Sequence, residues 1–298
     1  MATASAAALG AAPLAEFVAT IGHCYENSPW IVEAAHASGP FENLTAVEEA
    51  LWAAVDGASQ EQQLALLNAH PDLAGRAALA GEVTADSSEE QRRAGLDSLT
   101  PEEMASFTAM NDEYKAKFSF PFILAIRNAT KRTILGAYAT RLSNAPGAEM
   151  ANALAQVRKI AWMRLRVAVP PALTGFLTCH VLDTARGCPA ANMAVTLRFL
   201  GGSGGDGSPA APVVVGEFIT NSDGRLDGGP ALKGADFKEG QYEWTFGVGE
   251  YFAIAGVPSP GTPFLGEVPI RFGIDNPEMH YHVPLLCSPY SFSTYRGS

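Results

Sequence analysis

Three features that are scarce or missing limit the classes of protein to which this chain of 298 residues can belong. Its 4 cysteines include no Cys-x-x-Cys pair, which excludes a disulfide scaffold and favours a reducing compartment. Basic residues are scarce, with 20 Lys and Arg against 31 Asp and Glu, and the net charge of -11 argues against nucleic acid or an anionic membrane as a partner. No apolar run reaches the roughly 18 residues of a membrane span, so no membrane partner is expected.

The remaining composition is that of a globular chain, with 47% apolar and 17% charged residues, and the length predicts two domains. Most of the 29 glycines follow Pro170 and Pro171, where the composition changes. We therefore expect a disordered Ala-rich tail at residues 1–13, an all-α domain at 14–168, a linker at 169–173 and an all-β domain at 174–298. The tail has no basic residue before its apolar part, unlike a signal peptide.

The first domain shows apolar residues at helical spacing and no β alternation. Thr100 to Glu103 forms a capping box with proline at the first helical position, which indicates the start of a helix that runs towards Phe118. The other expected helices are Ala46 to Val55, Thr130 to Leu142 and Ala148 to Val167.

The second domain shows short β-type runs between clusters of Gly, Pro and Asp, a pattern typical of a β-sandwich of about seven or eight strands. A short helix is expected at Glu250 to Ala255 and a Gly/Ser/Pro-rich loop at Gly201 to Pro212. The expected strands are Phe176 to Leu182, Ala194 to Leu200, Val213 to Thr220, Tyr242 to Val248, Val268 to Phe272 and His280 to Leu286.

Polar residues with catalytic potential interrupt three parts of the β domain. His180 lies within a strand, Arg225 follows an Asp-Gly turn, and His280 and His282 share one strand face. Taken singly, each has an ordinary structural explanation as a satisfied histidine or a solvated arginine. The His-x-His pair could suggest zinc, but no third ligand stands at a suitable spacing, and we expect no metal.

Together these motifs resemble one family closely. Leu177 to Ala190 and the C-terminal HYHVPLLCSPYSFSTYRGS are similar to the 5-hydroxyisourate hydrolases, which are transthyretin-like enzymes of urate breakdown. The resemblance implies a tetramer with sites between its dimers. It also implies four catalytic residues in this domain, which are His180, Arg225, His282 and Ser298. The substrate-binding residues that it implies here are His180, Arg225 and Tyr295.

The residue types suit hydrolysis of a planar cyclic imide. Histidine titrates near neutral pH and can deprotonate water, while arginine can pair with ring carbonyl oxygens through two N–H groups. We expect His180 and His282 to activate water and Arg225 and Tyr295 to orient the ring. The sequence leaves open which of the two histidines is the base.

Three motifs stand out in the α domain. His70 precedes Pro71, which should place it just past a helix end with a free side chain. Ser87 begins a Ser-Ser-Glu-Glu-Gln run and could cap a helix. Phe120 to Arg127 is an apolar run that ends in a charge. Singly, these fit a capping histidine, a solvated turn and a core segment.

As a set, the motifs resemble the 2-oxo-4-hydroxy-4-carboxy-5-ureidoimidazoline (OHCU) decarboxylases, from about Leu14 to Arg166. The resemblance implies that His70 donates a proton, that Glu90 is a polar catalytic partner and that Arg164, rather than Arg158, holds a substrate carboxylate or ring oxygen. The other substrate-lining residues it implies are Pro71, Ser87, Ser88, Glu89, Gln91, Phe122, Ile123, Leu124, Ala125 and Ile126.

The two resemblances are consecutive steps, and their order matches the family of fused enzymes called allantoin synthases. We expect hydrolysis of 5-hydroxyisourate to OHCU and decarboxylation to (S)-allantoin. No cofactor is expected, because the substrate ring can take up the electron pair that CO2 leaves behind. The expected assembly is a homotetramer through the β domain with dimers of the decarboxylase domain. The alternatives are a transthyretin-like binding or scaffold protein, or a chain with only one active domain.

The expected location is cytoplasmic, with the peroxisome as the alternative. Fused members can carry an internal Arg-Leu-x5-His-Leu signal, but Arg164-Leu165 is followed at that spacing by Pro171-Ala172. The chain also ends in Arg-Gly-Ser rather than Ser-Lys-Leu.

Overall fold

The computed structural model describes residues 5–74, 84–96, 98–126, 129–202, 211–258 and 261–297. The chain divides into two compact units, Met1–Pro170 and Pro171–Ser298, so the boundary lies within the expected linker. Each unit encloses a hydrophobic core of its own.

Helices make up the regular structure of the first unit over its described residues, which confirms the all-α prediction. The expected helices are present, and the sequence pattern missed several shorter ones. In chain order they are α1 (Ala6–Gly10), α2 (Leu14–Ile21), a 3-10 turn (Gly22–Cys24), α3 (Pro29–His36), α4 (Leu44–Asp56), α5 (Gln60–Asn68), α6 (Ala85–Arg93), α7 (Pro101–Phe118), α8 (Lys131–Leu142) and α9 (Pro146–Ala168).

The prediction of a disordered tail is wrong for α1. Ser5 caps this helix by accepting a hydrogen bond from the backbone N–H of Ala8, at 3.2 Å. Leu9 is 1% exposed and packs into the core of the unit. The Ala-rich composition suggested fraying, but small side chains also let a short helix approach a core closely, and burial of Leu9 then holds it there.

A buried ionic cluster fixes the segment between α7 and α8. Glu149 is fully buried and accepts hydrogen bonds from Tyr114 Oη, from Arg141 Nε at 2.7 Å and from Asn144 Nδ2 at 2.6 Å. Arg141 Nη1 donates to the carbonyl oxygen of Ile123 at 2.6 Å. The cluster therefore ties helices α7, α8 and α9 to the expected substrate-lining segment.

The second unit is built from short strands and one helix, α10 (Val248–Ile254), close to the position expected. The strands are β1 (Phe176–Thr178), β2 (Val181–Asp183), β3 (Cys188–Pro189), β4 (Ala194–Gly201), β5 (Val213–Ile219), β6 (Leu232–Lys233), β7 (Gly240–Phe246), β8 (Val268–Ile274), β9 (His280–His282), β10 (Leu285–Cys287) and β11 (Phe292–Ser293). Their hydrogen-bonded orders are β6-β1-β9, β11-β10-β2-β3 and β5-β4-β7-β8.

Two expected strands are interrupted, and the short strands β3, β6 and β11 were not expected, so the described strands outnumber the seven or eight predicted. The run from Phe176 divides into β1 and β2, and the run from His280 divides into β9 and β10, because β1 pairs with β9 and β2 with β10. Pro284 lies at the second break and has no N–H to give to a ladder. The two breaks therefore face each other and interrupt the sheet at one level.

The substitution Arg141→Met tests the buried cluster. It leaves the charge of Glu149 without its cation, so we expect the α unit to lose about 3–5 kcal/mol of unfolding free energy. Urea unfolding followed by circular dichroism measures this loss. Arg132→Met, at an exposed position of the same helix, is the matched control. An unfolding free energy equal to that of the control variant would contradict the role of the cluster.

Candidate active sites

One open cavity, of about 350 Å³, lies in the first unit between the end of α5, helix α6, the segment before α8 and helix α9. It brings together most of the residues that the sequence predicted for the substrate site of the α domain. Its lining consists of His70, Pro71, Leu73, Ser87, Glu90, Gln91, Phe122, Ile123, Leu124, Ile126, Ile160 and Arg164.

His70 lies just past α5, as Pro71 predicted, but its side chain is not free. The residue is 7% exposed, and its Nδ1 lies 3.0 Å from the carbonyl oxygen of Leu66. A carbonyl only accepts, so Nδ1 carries the hydrogen and Nε2 of the neutral ring is a bare acceptor. Burial lowers the pKa of His70 and Arg164 lowers it further, against the opposing effects of Leu66 and Glu26. The resting ring is therefore neutral near pH 7.

Arg164 is held by two carboxylates. Its Nε and Nη2 donate to the two oxygens of Glu90 at 2.9 Å each, and its Nη1 donates to Glu26 Oε2 at 2.7 Å. Burial opposes its charge, but these bonds and the attraction of both acids raise the pKa of Arg164. Ser87 Oγ accepts a further bond from Nη2 at 3.1 Å. The guanidinium is therefore a fixed cation at the wall of the cavity.

Sequence reasoning missed Glu26. It is 2% exposed, and hydrogen bonds from Thr84 and Arg164 outweigh burial and lower its pKa. Its Oε1 also accepts a bond from Ser87 Oγ at 3.2 Å. Glu26 lies between two helices in a stretch without periodicity or motif, so no local signal pointed to it.

Several expected details differ from the structure. Ser87 is not the helix cap, because Thr84 precedes α6 and its Oγ1 accepts from the Ser87 backbone N–H at 3.4 Å. Ser88 is exposed, and Glu89 pairs with Arg92 at 2.7 Å, so neither lines the cavity. Ala125 does not line it either, while Leu73 and Ile160 do.

Arg158, the other arginine of α9 considered for the substrate site, makes its contacts outside the cavity. Arg158 Nε and Nη2 donate to the two oxygens of Glu48 at 2.5 and 2.8 Å, and its guanidinium lies over the ring of Trp52. It is absent from the cavity lining, which leaves Arg164 as the arginine of this cavity among the described residues.

A second cluster forms in the β unit at the level of the strand breaks. Isolated backbone bridges pair His180 with Arg225 and His282 with Gly297. The carbonyl oxygen of His180, just before β2, accepts the backbone N–H of Leu285 at 2.9 Å, just where the second break ends. These pairings bring three segments far apart in the sequence to one place, as the resemblance implied.

The turn before Arg225 is fixed by close packing. Asn221 Oδ1 accepts the backbone N–H groups of Asp223 and Arg225, both at 3.0 Å. Gly224 has a φ of 72°, and a Cβ there would lie 2.2 Å from the carbonyl oxygen of Val181. Glycine is therefore required at this position for the turn to reach His180.

Both site histidines of this cluster favour the neutral state. His180 Nε2 donates to the carbonyl oxygen of Asp223 at 2.8 Å, which leaves Nδ1 as the acceptor of the neutral ring. Burial lowers the pKa of His180 and of His282, and the positive charge of Arg225 lowers both further. Each ring can therefore accept a proton near neutral pH.

The C-terminal segment packs directly on this cluster. The backbone N–H of Gly297 donates to the carbonyl oxygen of His282 at 2.9 Å, and a Cβ at Gly297 would lie 2.7 Å from His282 Cδ2. Arg296 lies over the ring of Tyr281, and Tyr295 is 58% exposed. The expected catalytic residue Ser298 lies outside the described residues.

The described part of the chain holds neither a cluster of side chains for a metal ion nor a membrane-spanning helix. Within it, no group of three or more His, Cys, Asp or Glu side chains is placed to hold a metal ion. Over the same residues, no helix has the length and hydropathy needed to cross a membrane. The four cysteines, Cys24, Cys179, Cys188 and Cys287, are free thiols.

Comparison with known families agrees with the division into two units. The OHCU decarboxylase family model matches residues 10–166, and the HIUase/transthyretin family model matches residues 177–297. The first match spans more than half of the chain. The chain therefore combines an OHCU decarboxylase domain with a domain of the 5-hydroxyisourate hydrolase and transthyretin class.

Individual relatives support both assignments. A 5-hydroxyisourate hydrolase of Rhizobium meliloti is 50% identical over 125 residues, which are 42% of this chain and 98% of the relative. An OHCU decarboxylase of Halalkalicoccus jeotgali is 39% identical over 155 residues, 52% of this chain and 86% of the relative. A crystal structure of (S)-allantoin synthase is 46% identical with a TM-score of 0.82, and covers 99% of this chain and 100% of that one.

The chain belongs to the family of fused (S)-allantoin synthases. It is a bifunctional enzyme of urate breakdown, with a hydrolase in its β unit and a carboxy-lyase in its α unit. The helical and β folds expected for the two domains are confirmed.

Arg164→Lys tests the cation of the first cavity. Lysine keeps the charge but loses the paired bonds to Glu90, so we expect kcat/KM for decarboxylation to fall ~10- to 100-fold, as for loss of charged hydrogen bonds. Arg158→Lys disrupts a similar paired bond outside the cavity and should keep the rate within about threefold. Equal losses in the two variants would contradict the assignment of Arg164.

The lowered pKa of His70 predicts a pH effect on stability. Between that pKa and the ordinary value of 6.5, the unfolded chain binds more protons, so stability falls as the pH drops through this window. In His70→Asn the amide can keep the bond to Leu66 but does not titrate. Urea unfolding of the α unit at pH 7.5 and 5.5 should show a smaller decrease in the variant. An identical decrease would show that His70 is not held neutral.

Proposed function

We propose that the two clusters divide the chemistry of the enzyme between them. The cluster of His180, Arg225 and His282 hydrolyses 5-hydroxyisourate, and the cavity of His70, Glu90 and Arg164 decarboxylates OHCU to (S)-allantoin. The observation that carries this proposal is that each unit places a histidine of lowered pKa near the positive charge of an arginine, with no residue shared between the two sites. Each site therefore has a proton acceptor and a group that can orient an electron-rich ring.

In the hydrolase site, a neutral imidazole removes a proton from water while the hydroxide oxygen bonds to a ring carbonyl carbon. The positive charge of Arg225 stabilises the negative charge that develops on the carbonyl oxygen. Burial, together with the same charge, lowers the pKa of His180 and of His282 and so favours their neutral state before the substrate binds. Tyr295 contributes an orienting contact from the segment that packs on His282.

In the decarboxylase site, CO2 leaves an electron pair on the ring carbon, and a proton must then reach one face of that carbon. The neutral ring of His70 has no hydrogen on Nε2, so His70 donates only after it has been protonated. The anionic substrate favours this protonation by offsetting the effect of Arg164. Pro71 and the bond to Leu66 fix the ring, so the proton arrives on one face and yields one enantiomer.

Arg164 supplies charge more than new hydrogen bonds. Four of its five N–H groups already donate to Glu26, Ser87 and Glu90. The remaining N–H is on Nη1, and Glu90 is the more exposed of the two acids, with a side chain that is 26% exposed. We propose that Glu90 turns partly towards a ring N–H of the substrate, which frees the guanidinium for the substrate carboxylate.

The assembly proposed is a homotetramer through the β unit, with dimers of the decarboxylase unit. The hydrolase cluster is only half-buried in one chain, and Tyr295 is largely exposed. A partner chain over this face would exclude water from the site. Light scattering of the purified chain tests the proposal, since a monomer or a dimer would contradict it.

For location we propose the cytoplasm, with the peroxisome as the alternative, because Pro171-Ala172 stands where the internal peroxisomal signal has His-Leu. Import of a fluorescent fusion into isolated peroxisomes would favour the alternative.

The test of the proposed function supplies fresh 5-hydroxyisourate from urate and urate oxidase and follows allantoin by chiral detection. His282→Asn should slow loss of 5-hydroxyisourate by at least ~100-fold, in the range of general acid–base catalysis, and leave decarboxylation intact. His70→Asn should show the reverse pattern and give racemic allantoin. Loss of both steps in either variant would contradict the separate sites, and a wild-type rate equal to buffer would contradict the function.

A further inference from the structure

A hydroxyl group joins two histidines at the edge of the hydrolase site. Thr178 Oγ1 lies 2.7 Å from Nε2 of His280 and 2.9 Å from Nδ1 of His282. The parallel pairing of β1 with β9 places Thr178 opposite His282 and Phe176 opposite His280. The ring of Phe176 stacks on His280, with centroids 4.3 Å apart. A continuous chain of hydrogen bonds therefore joins His280, Thr178 and His282, and we name it the Thr178 bridge.

The hydroxyl has one hydrogen, so it donates to one histidine and accepts from the other. When it donates to His280, Nδ1 of His282 carries the hydrogen and Nε2 of His282 is a bare base. When it donates to His282, Nε2 of that ring carries the hydrogen and cannot take one from water. The direction of the Thr178 hydrogen bond therefore decides whether His282 can act as a base.

We propose that Thr178 and His280 are positioning residues that keep His282 in its basic tautomer and carry away the proton it accepts. The inference deepens the proposed hydrolase function and rests on it. It assigns the base role to His282 and gives a purpose to His280, the other histidine on the same strand face.

The proton transfer balances without another reactant. A water proton moves to Nε2 of His282, and the hydroxide oxygen bonds to the substrate carbonyl carbon. The Nδ1 hydrogen of His282 passes to Thr178 Oγ1 as the hydroxyl hydrogen passes to Nε2 of His280. The charge then lies on His280, and His282 no longer carries the charge that Arg225 disfavours. Reversal of the same steps returns the proton to the leaving nitrogen when the ring opens.

Matched substitutions of Thr178 test the bridge in the full-length chain. Thr178→Val keeps the shape and removes the hydroxyl, so kcat for hydrolysis should fall about 100-fold with KM within about twofold. Thr178→Ser keeps the hydroxyl and should restore kcat to within a few-fold. Thr184→Val is the control, because Thr184 also donates its hydroxyl, to the carbonyl oxygen of Cys287 at 2.9 Å, away from the bridge.

The double variant tests whether the two groups act as one chain. His280→Phe keeps an aromatic ring against Phe176 and removes the nitrogen, so it should lower kcat as much as Thr178→Val. Combined, the two substitutions should cost no more than either alone, because each already breaks the bridge. Losses that multiply, an unchanged kcat in Thr178→Val, or failure of Thr178→Ser to restore it would each overturn the proposal.

Two measurements separate failure of this inference from failure of the function or of the fold. The wild-type rate on fresh 5-hydroxyisourate, assayed in parallel, tests the hydrolase function itself. The melting profile of each variant, with Thr184→Val as reference, tests folding of the β unit. An active wild type with a folded and fully active Thr178→Val would overturn the bridge and leave the hydrolase function standing.

Discussion

The buried cation of Arg164 is the constraint on which the α unit depends. A guanidinium cannot leave water without acceptors, and Arg164 takes them from Glu90 and Glu26, which lie 74 and 138 residues away in the chain. Satisfying one charge therefore fixes α6, α9 and the segment after the first 3-10 turn against each other. The cavity proposed for the substrate is lined by α6 and α9, together with the end of α5 and the segment before α8.

Both units lower the pKa of the histidines at their proposed sites, although the two folds are unrelated. In each, burial lowers the pKa of the histidine, and an arginine charge lowers it further, weakly from Arg164 at His70 and more strongly from Arg225 at His180 and His282. In the proposed mechanism the histidines are therefore neutral at rest and become charged during the reaction. In that mechanism an anionic or electron-rich substrate favours protonation of the histidine, because its negative charge compensates the positive charge of the imidazolium.

The sequence predicted what depends on local rules. Pro71 placed His70 past a helix end, and the Asp-Gly pair predicted the turn before Arg225. It could not predict Glu26, whose importance comes only from a partner in α9. It also missed the breaks that divide two strands, since the register between β1–β2 and β9–β10 is a long-range property. The N-terminal tail was misjudged because alanine composition does not show whether Leu9 finds a core.

The close approach of Gly297 to His282 has a practical side. Because no Cβ fits between them, the main chain at this end passes directly beside a reactive imidazole. An affinity tag or fluorescent fusion joined shortly after Gly297 would begin close to that ring. Recombinant versions should therefore carry such additions ahead of Ser5, where the described chain begins with a solvent-exposed helix cap.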